Sequence, residues 1–197
     1  MVHGFHDTIV IDRRRDRLKI VFLDIDGVLN TPLHSLDDMK KFPDFKPMDE
    51  RCYGLNSDLI KNLKYILDET GAKIVVSSSW RHFHDYSPYN KGVDWRNVLA
   101  ERCGRDPKDL FLGDTPSLVT RKMDDEGISE YTLRGREIKA WIDENKDSLE
   151  RFRYAILDDE VCDIVTVIKK CHVFKTDSSC GLTKEIADKV ISFLNGV

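Results

Sequence analysis

Apolar positions along the chain follow two rhythms. Leu18 to Leu23 (Leu-Lys-Ile-Val-Phe-Leu) is a short, β-branched run that ends at Asp24. Lys73 to Val76 ends in the same way at Ser77, and Tyr154 to Leu157 at Asp158; Cys171 to Phe174 is a weaker fourth run. Continuous short runs of this kind are expected of strands buried on both faces, as in a parallel sheet. Between them the apolar period lengthens to three and four. Ser57 is predicted to cap a helix carrying Leu59, Ile60, Leu63, Ile66 and Leu67, with Gly71 ending it. Ile138, Trp141 and Ile142 mark a helix from about Gly135 to Asn145. The last helix starts near Thr183, uses Ile186, Val190, Ile191 and Leu194, and stops at Gly196.

Strands alternating with helices predict crossover units and a doubly wound α/β sheet. Two stretches resist that reading: Thr31 to Asn56 and Arg81 to Arg134 are irregular, apart from a short helix over Asp94 to Cys103 and a short strand over Leu110 to Leu112. No repeat, low-complexity tract or linker divides the chain. The expected organisation is an arm over residues 1–17 and one catalytic domain over 18–197. A chain of 197 residues suits one domain of ordinary size.

Composition narrows the function classes. The formal net charge of −4 gives no general signal for nucleic-acid binding. Arg13, Arg14, Arg15 and Arg17 read as a solvated arm. Five cysteines without Cys-x-x-Cys spacing suit a reducing compartment and argue against a disulfide framework or zinc site. Cys162 and Cys171 are expected in the core. No run is long enough to span a bilayer, and the N-terminus lacks an apolar leader core, so a cytoplasmic protein is expected.

The polar residues that close the predicted strands carry the chemistry. Asp24 with Asp26, Ser77 with Ser78, and Asp158 with Asp159 all fall at carboxyl ends, where ligands bind in open α/β sheets. Carboxylates gathered there repel one another and call for a cation, and oxygen ligands beside a phosphate suit Mg²⁺. Asp-x-Asp-Gly alone is a common turn, but here it follows a buried strand and is matched by Asp158-Asp159.

Taken in order, Asp24-Ile-Asp26-Gly27-Val28, Ser77, a basic residue opening a helix, and Asp158-Asp159 resemble the four motifs of the haloacid dehalogenase superfamily. With Leu23 to Asn30, Ser77-Ser-Ser-Trp-Arg81, Gly113-Asp-Thr-Pro116 and Arg134-Gly-Arg-Glu-Ile138, the chain resembles the haloacid dehalogenase domains of RNA-repair proteins of the Swiss Army Knife type. The resemblance runs from about Leu18 to Leu194. It implies a three-layer Rossmann-like fold with a parallel central sheet and a minimal cap or none.

The resemblance also implies roles. Asp24 would attack phosphorus and form an aspartyl-phosphate, and Asp26 would protonate the leaving oxygen and then activate water. Ser77, with Ser78 beside it, would hold phosphoryl oxygens. Asp24, Asp158 or Asp159, and the backbone carbonyl of Asp26 would hold Mg²⁺. The superfamily's third motif usually supplies Lys; this chain offers Arg134 first, then Arg136, with Lys139 behind. Arg grips phosphate through a planar fork, whereas Lys acts as a point charge. Arg81 is a candidate for holding substrate or for a structural ion pair. Asp163 either extends the acidic motif or, as the preferred reading, takes a solvated helix position; Gly113-Asp114 is expected in a turn, Trp80 as a packing anchor, and His82 and His84 on an exposed loop.

The expected function is hydrolysis of a phosphomonoester. The resemblance points to RNA or DNA termini as substrate. An open mouth also leaves room for a phosphoprotein, a nucleotide or a small phosphate ester. Phosphotransfer to an acceptor other than water and a non-catalytic binding module are the rival readings.

Overall fold

The computed structural model describes residues 17–31, 55–82, 94–124, 127–147 and 152–197, and for 119–132 the backbone only. The predicted arm before Arg17 and residues 32–54 therefore lie outside the described residues, as does His84.

Five strands form one parallel sheet: β1 (Lys19–Leu23), β2 (Lys73–Val76), β3 (Phe111–Asp114), β6 (Arg153–Asp158) and β7 (Val173–Lys175). Their order is β3-β2-β1-β6-β7. The chain builds outward from β1 to β3 and then returns to the other side of β1. The boundary between β1 and β6 is thus the switch point of the sheet, the place where open α/β sheets gather ligands.

Helices α1 (Ser57–Thr70), α2 (Trp95–Arg102) and α6 (Lys184–Asn195) cover one face; α4 (Arg134–Asn145) and the short α5 (Ile164–Val167) cover the other. Alternate residues of β1 feed the two cores. Val21 and Leu23 join Leu63, Leu99 and Val190, while Ile20 and Phe22 join Ile138, Trp141 and Ile156. This explains why β1 reads as unbroken apolar sequence: neither face of it meets water.

Several local expectations need correction. Asn56, not Ser57, caps α1; its side chain accepts from the N–H groups of Asp58 and Leu59, and Ser57 is the first helical residue. Both residue types suit the position, so composition could not choose between them. Gly71 ends α1 at φ 65°, as expected. Cys162 and Cys171 are exposed, because they lie on connections flanking α5 and not on its inward side; among the described cysteines Cys103 is the buried one.

The second irregular stretch also contains order. A one-turn helix α3 (Pro107–Leu110) leads into β3, which extends through Gly113 and Asp114 and does not turn at them. After it, β4 (Val119–Asp124) and β5 (Gly127–Thr132) form an antiparallel hairpin outside the main sheet, with Asp124 opposite Gly127. Asp-Asp-Glu-Gly between two β-compatible runs was the available signal.

Phe22 is the inward anchor of the second core, edge-on to Trp141 at 5.3 Å and to Tyr154 at 5.8 Å. Phe22→Ala should therefore cost about 3–5 kcal/mol of stability. Urea unfolding would show it as a lower midpoint with an unchanged slope.

Candidate active site

The register of the sheet aligns the chemistry. Leu23 pairs with Val76 on one side and with Leu157 on the other. The ladder then runs one step further: Ser77 N–H donates to Leu23 O at 2.8 Å, and Asp24 N–H to Leu157 O at 3.0 Å. Asp24, Ser77 and Asp158 thus share the row just past the last apolar one. Asp24 and Asp158 are buried, and Ser77 and Ser78 are almost fully so.

Asp26 and Gly27 follow in a tight turn where Val28, Leu29 and Asn30 all donate to Ile25 O. Gly27 has φ 72°, and a Cβ there would stand 2.3 Å from Asp159 Oδ2. Only glycine meets both demands. The turn brings Asp26 over the site, where both its oxygens accept hydrogen bonds: Oδ1 from Asn30 Nδ2 at 2.8 Å and Oδ2 from Trp80 Nε1 at 2.9 Å. Trp80 is the packing anchor expected of it, buried edge-on against Trp95. Its bond to Asp26, and that of Asn30, were missed; the pattern Asp-x-x-x-Asn within one turn was the only sequence signal.

Arg134 opens α4 and reaches the same row. Its Nη1 stands 3.1 Å from Asp24 Oδ1 and 3.4 Å from Asp158 Oδ2, and it also donates to Ser77 O. Three devices seat it. Gly135 N–H donates to Asp163 Oδ2 at 2.8 Å, so Asp163 ties down the helix start and is not the solvated position expected. A Cβ on Gly135 would stand 2.8 Å from Asp163 O and Ile164 Cα, so the helix can approach that closely only with glycine. Glu137, fully buried one turn along, pairs with Arg81 at 2.8 Å and accepts from Leu118 N–H at 2.9 Å.

That pairing settles where two other candidates lie. Arg81 is buried against Glu137 and Thr115 and does not line the cavity, because its guanidinium is committed to the joint between α4 and the loop after β2. Arg136 is exposed on the outer side of the first turn of α4 and does not line it either. Asp114 pairs with Arg96 at 2.6 Å. His82 is exposed.

The resulting cavity, about 270 Å³, is lined by Asp24, Asp26, Ser79, Arg134, Asp158, Asp159, Glu160 and Asp163. Burial drives its electrostatics. Desolvation, partly offset by Arg134 and by the hydroxyl of Ser78, pushes Asp24 up to about 6. Desolvation and the repulsion of Asp24 push Asp158 up to about 8, again against Arg134. Burial also raises Asp26 and Asp159. For Arg134, burial opposes the charged form, but Asp24 and Asp158 outweigh it and hold the guanidinium charged.

This arrangement fits a divalent cation. Asp24, Asp158 and Asp159 each offer a carboxylate oxygen, all within 4.8 Å of one another, and hard oxygen donors suit Mg²⁺. A cation there would relieve the repulsion that raises the acids. The hydroxyl of Ser77, buried and unpartnered among the described residues, offers a donor beside the same row.

A parallel sheet with carboxylates, a hydroxyl and a guanidinium gathered at its switch point defines a doubly wound α/β protein of the phosphoryl-handling type. The chain belongs to the haloacid dehalogenase (HAD) family: residues 20–187 match the HAD domain in Swiss Army Knife RNA repair proteins. No curated protein and no solved structure is similar enough to the chain to count as a match. Membership supports phosphatase or related hydrolase chemistry in general. Among the described residues, no helix is long and apolar enough to cross a membrane.

Because Asp24 and Asp158 bind protons more tightly folded than unfolded, metal-free protein should lose stability as pH rises. The window runs from the ordinary carboxylate range near about 4 to about 8. Within it the native state holds more protons than the unfolded chain, so the slope of stability against pH is negative. Thermal melts in chelator should shift downward across that window, and Mg²⁺ should flatten the trend.

Proposed function

We propose that the chain is a Mg²⁺-dependent phosphomonoesterase that works through an aspartyl-phosphate on Asp24. The observation that carries this is the single row of Asp24, Ser77 and Asp158, with Arg134 Nη1 3.1 Å from Asp24 and Asp159 completing a cluster of three carboxylates.

An oxygen of Asp24 attacks phosphorus, and the bond to the leaving oxygen breaks. Asp26 gives its proton to that oxygen, then takes one from the water that attacks the aspartyl-phosphate. The second bond breaks, Asp24 regains its carboxylate, and phosphate leaves. Ser77 donates to a phosphoryl oxygen, and Arg134 balances the negative charge that spreads over the phosphoryl group. Asp24, Asp158 and Asp159 would hold Mg²⁺, which supplies Lewis-acid neutralisation of the phosphoryl oxygens. Arg in place of the more usual Lys gives Arg134 a fork that can meet carboxylate and phosphate at once.

A second reading concerns the substrate. The family description names RNA repair proteins, which favours a phosphorylated polynucleotide end. Arg134 is the one basic residue lining the described cavity, facing Asp159, Glu160 and Asp163. Arg134 and a cation held by the acids would attract a terminal phosphoryl group, while the acidic lining repels a polyanionic body. On this reading the end enters and the rest of the strand stays outside.

Phosphate release from p-nitrophenyl phosphate should require Mg²⁺ and stop with chelator, and Asp24→Asn should lower kcat by at least about 10³-fold. Equal inertness of both proteins across a broad panel sinks the catalytic reading and favours a binding module. Transfer to an added alcohol in place of free phosphate would identify a phosphotransferase. RNA and DNA ends with 3′- or 5′-phosphate, phosphopeptides and mononucleotides then rank the substrate classes. A large preference for peptides or mononucleotides retires the polynucleotide reading.

A further inference from the structure

Both oxygens of Asp26 are held by groups that can only donate. Asn30 offers an amide N–H to Oδ1 at 2.8 Å, and Trp80 offers its indole N–H to Oδ2 at 2.9 Å. Neither nitrogen can take a proton from the carboxyl, so neither is a relay. What they control is where the two oxygens stand. Proton transfer works only within hydrogen-bond reach of the reacting oxygen, so that control bears on rate.

The two donors are held in different ways. Trp80 is 1% exposed and edge-on to Trp95, with ring centroids 5.7 Å apart. Trp95 Nε1 donates in turn to Trp80 O at 3.2 Å, and Trp80 N–H donates to Ser78 Oγ at 3.3 Å. The indole is therefore fixed from its ring and from its backbone. Asn30 instead belongs to the same short turn as Asp26, where Gly27 N–H donates to Asn30 O at 2.8 Å. Asn30 is itself buried, its N–H donates to Ile25 O at 3.1 Å, and its amide reaches Asp26 across one turn of chain.

We propose that Trp80 and Asn30 are positioning residues for proton transfer by Asp26, with Trp80 anchoring Oδ2 and Asn30 exchanging Oδ1 with the leaving oxygen. The inference rests on the reading of Asp26 as acid and base. In the first step the proton on Oδ1 passes to the leaving oxygen, which departs with the electron pair of its bond to phosphorus. The ionised Oδ1 then returns to Asn30. In the second step Oδ1 takes a proton from the attacking water as the bond between phosphorus and Asp24 breaks, its electrons returning to Asp24.

Leaving-group dependence tests this, because kcat/KM covers only steps through departure of the leaving group. An alkyl phosphate needs the proton, whereas p-nitrophenolate leaves without it. With Mg²⁺ present, Trp80→Phe keeps ring packing and removes the donor. It should lower kcat/KM for an alkyl phosphate about 10-fold or more, a part of what general acid catalysis supplies. On p-nitrophenyl phosphate the fall should stay within about 3-fold on the same grounds. Asn30→Ala should fall in the same direction by less. The Trp80 indole N–H, assigned by its absence from Trp80→Phe, should also lose exchange protection in Asp26→Ala. Equal falls on both substrates, or none, overturn the proposal, and if Trp80→Phe does not fold, Asn30→Ala decides by the same criterion. Asp26→Asn separates the two levels. If it discriminates strongly between the substrates while the other variants do not, the inference alone fails; if it does not discriminate, the acid-base reading fails with it.

Discussion

Asp24 and Asp158 end neighbouring strands, and the fold takes both of them out of water. Each is destabilised by burial, and each raises the charge cost of the other. The single guanidinium between them, Arg134, is the counter-charge that makes the pair tolerable. Much of the surrounding architecture serves to hold that guanidinium in place. Gly135 permits α4 to settle against the segment after β6, Asp163 ties its first turn, and the buried Arg81–Glu137 pair joins it to the loop carrying Ser77 and Ser78.

Glu137 also receives the backbone of Leu118, the residue from which β4 departs. One buried carboxylate thus joins the root of the hairpin, the loop after β2 and the helix bearing Arg134. Buried ion pairs are weak contributors to net stability, because desolvation offsets their attraction. Their use is in fixing arrangement. Here the arrangement fixed is the approach of a basic side chain to two acids on the far side of the sheet edge.

The strands were readable because burial on both faces leaves short β-branched apolar runs, and those of β1, β2 and β6 each close on a polar residue, whereas the equally β-branched Ile164–Val167 is helical. The acidic ends were readable for the related reason that charge directly after such a run needs a purpose. Arg134 ranks before Arg136, and it also lies four and seven residues ahead of Ile138 and Trp141, on the side of α4 that faces the sheet, where Arg136 does not. Arg81 read equally as a substrate ligand or as half of a structural ion pair, because its partner Glu137 lies 56 residues away. Trp80 and Asn30 escaped for a similar reason. A hydrogen bond from an indole to a carboxylate on another strand's turn leaves no periodic trace. The β4–β5 hairpin was hidden by reading Pro, Gly and acidic residues around it as disorder of pattern.

The shared row of Asp24, Ser77 and Asp158 has a consequence for assembly of the sheet. Side chains alternate between faces, so sliding β1 by one residue against β6, with Asp24 drawn back opposite Leu157, would exchange its two core sets and turn Asp24 toward the other core. The carboxylate would then lose Arg134 and sit unpaired against hydrocarbon. A misaligned sheet would therefore carry a charge penalty that the aligned one avoids. The residues that hold the site together also proofread the pairing of the strands that build it.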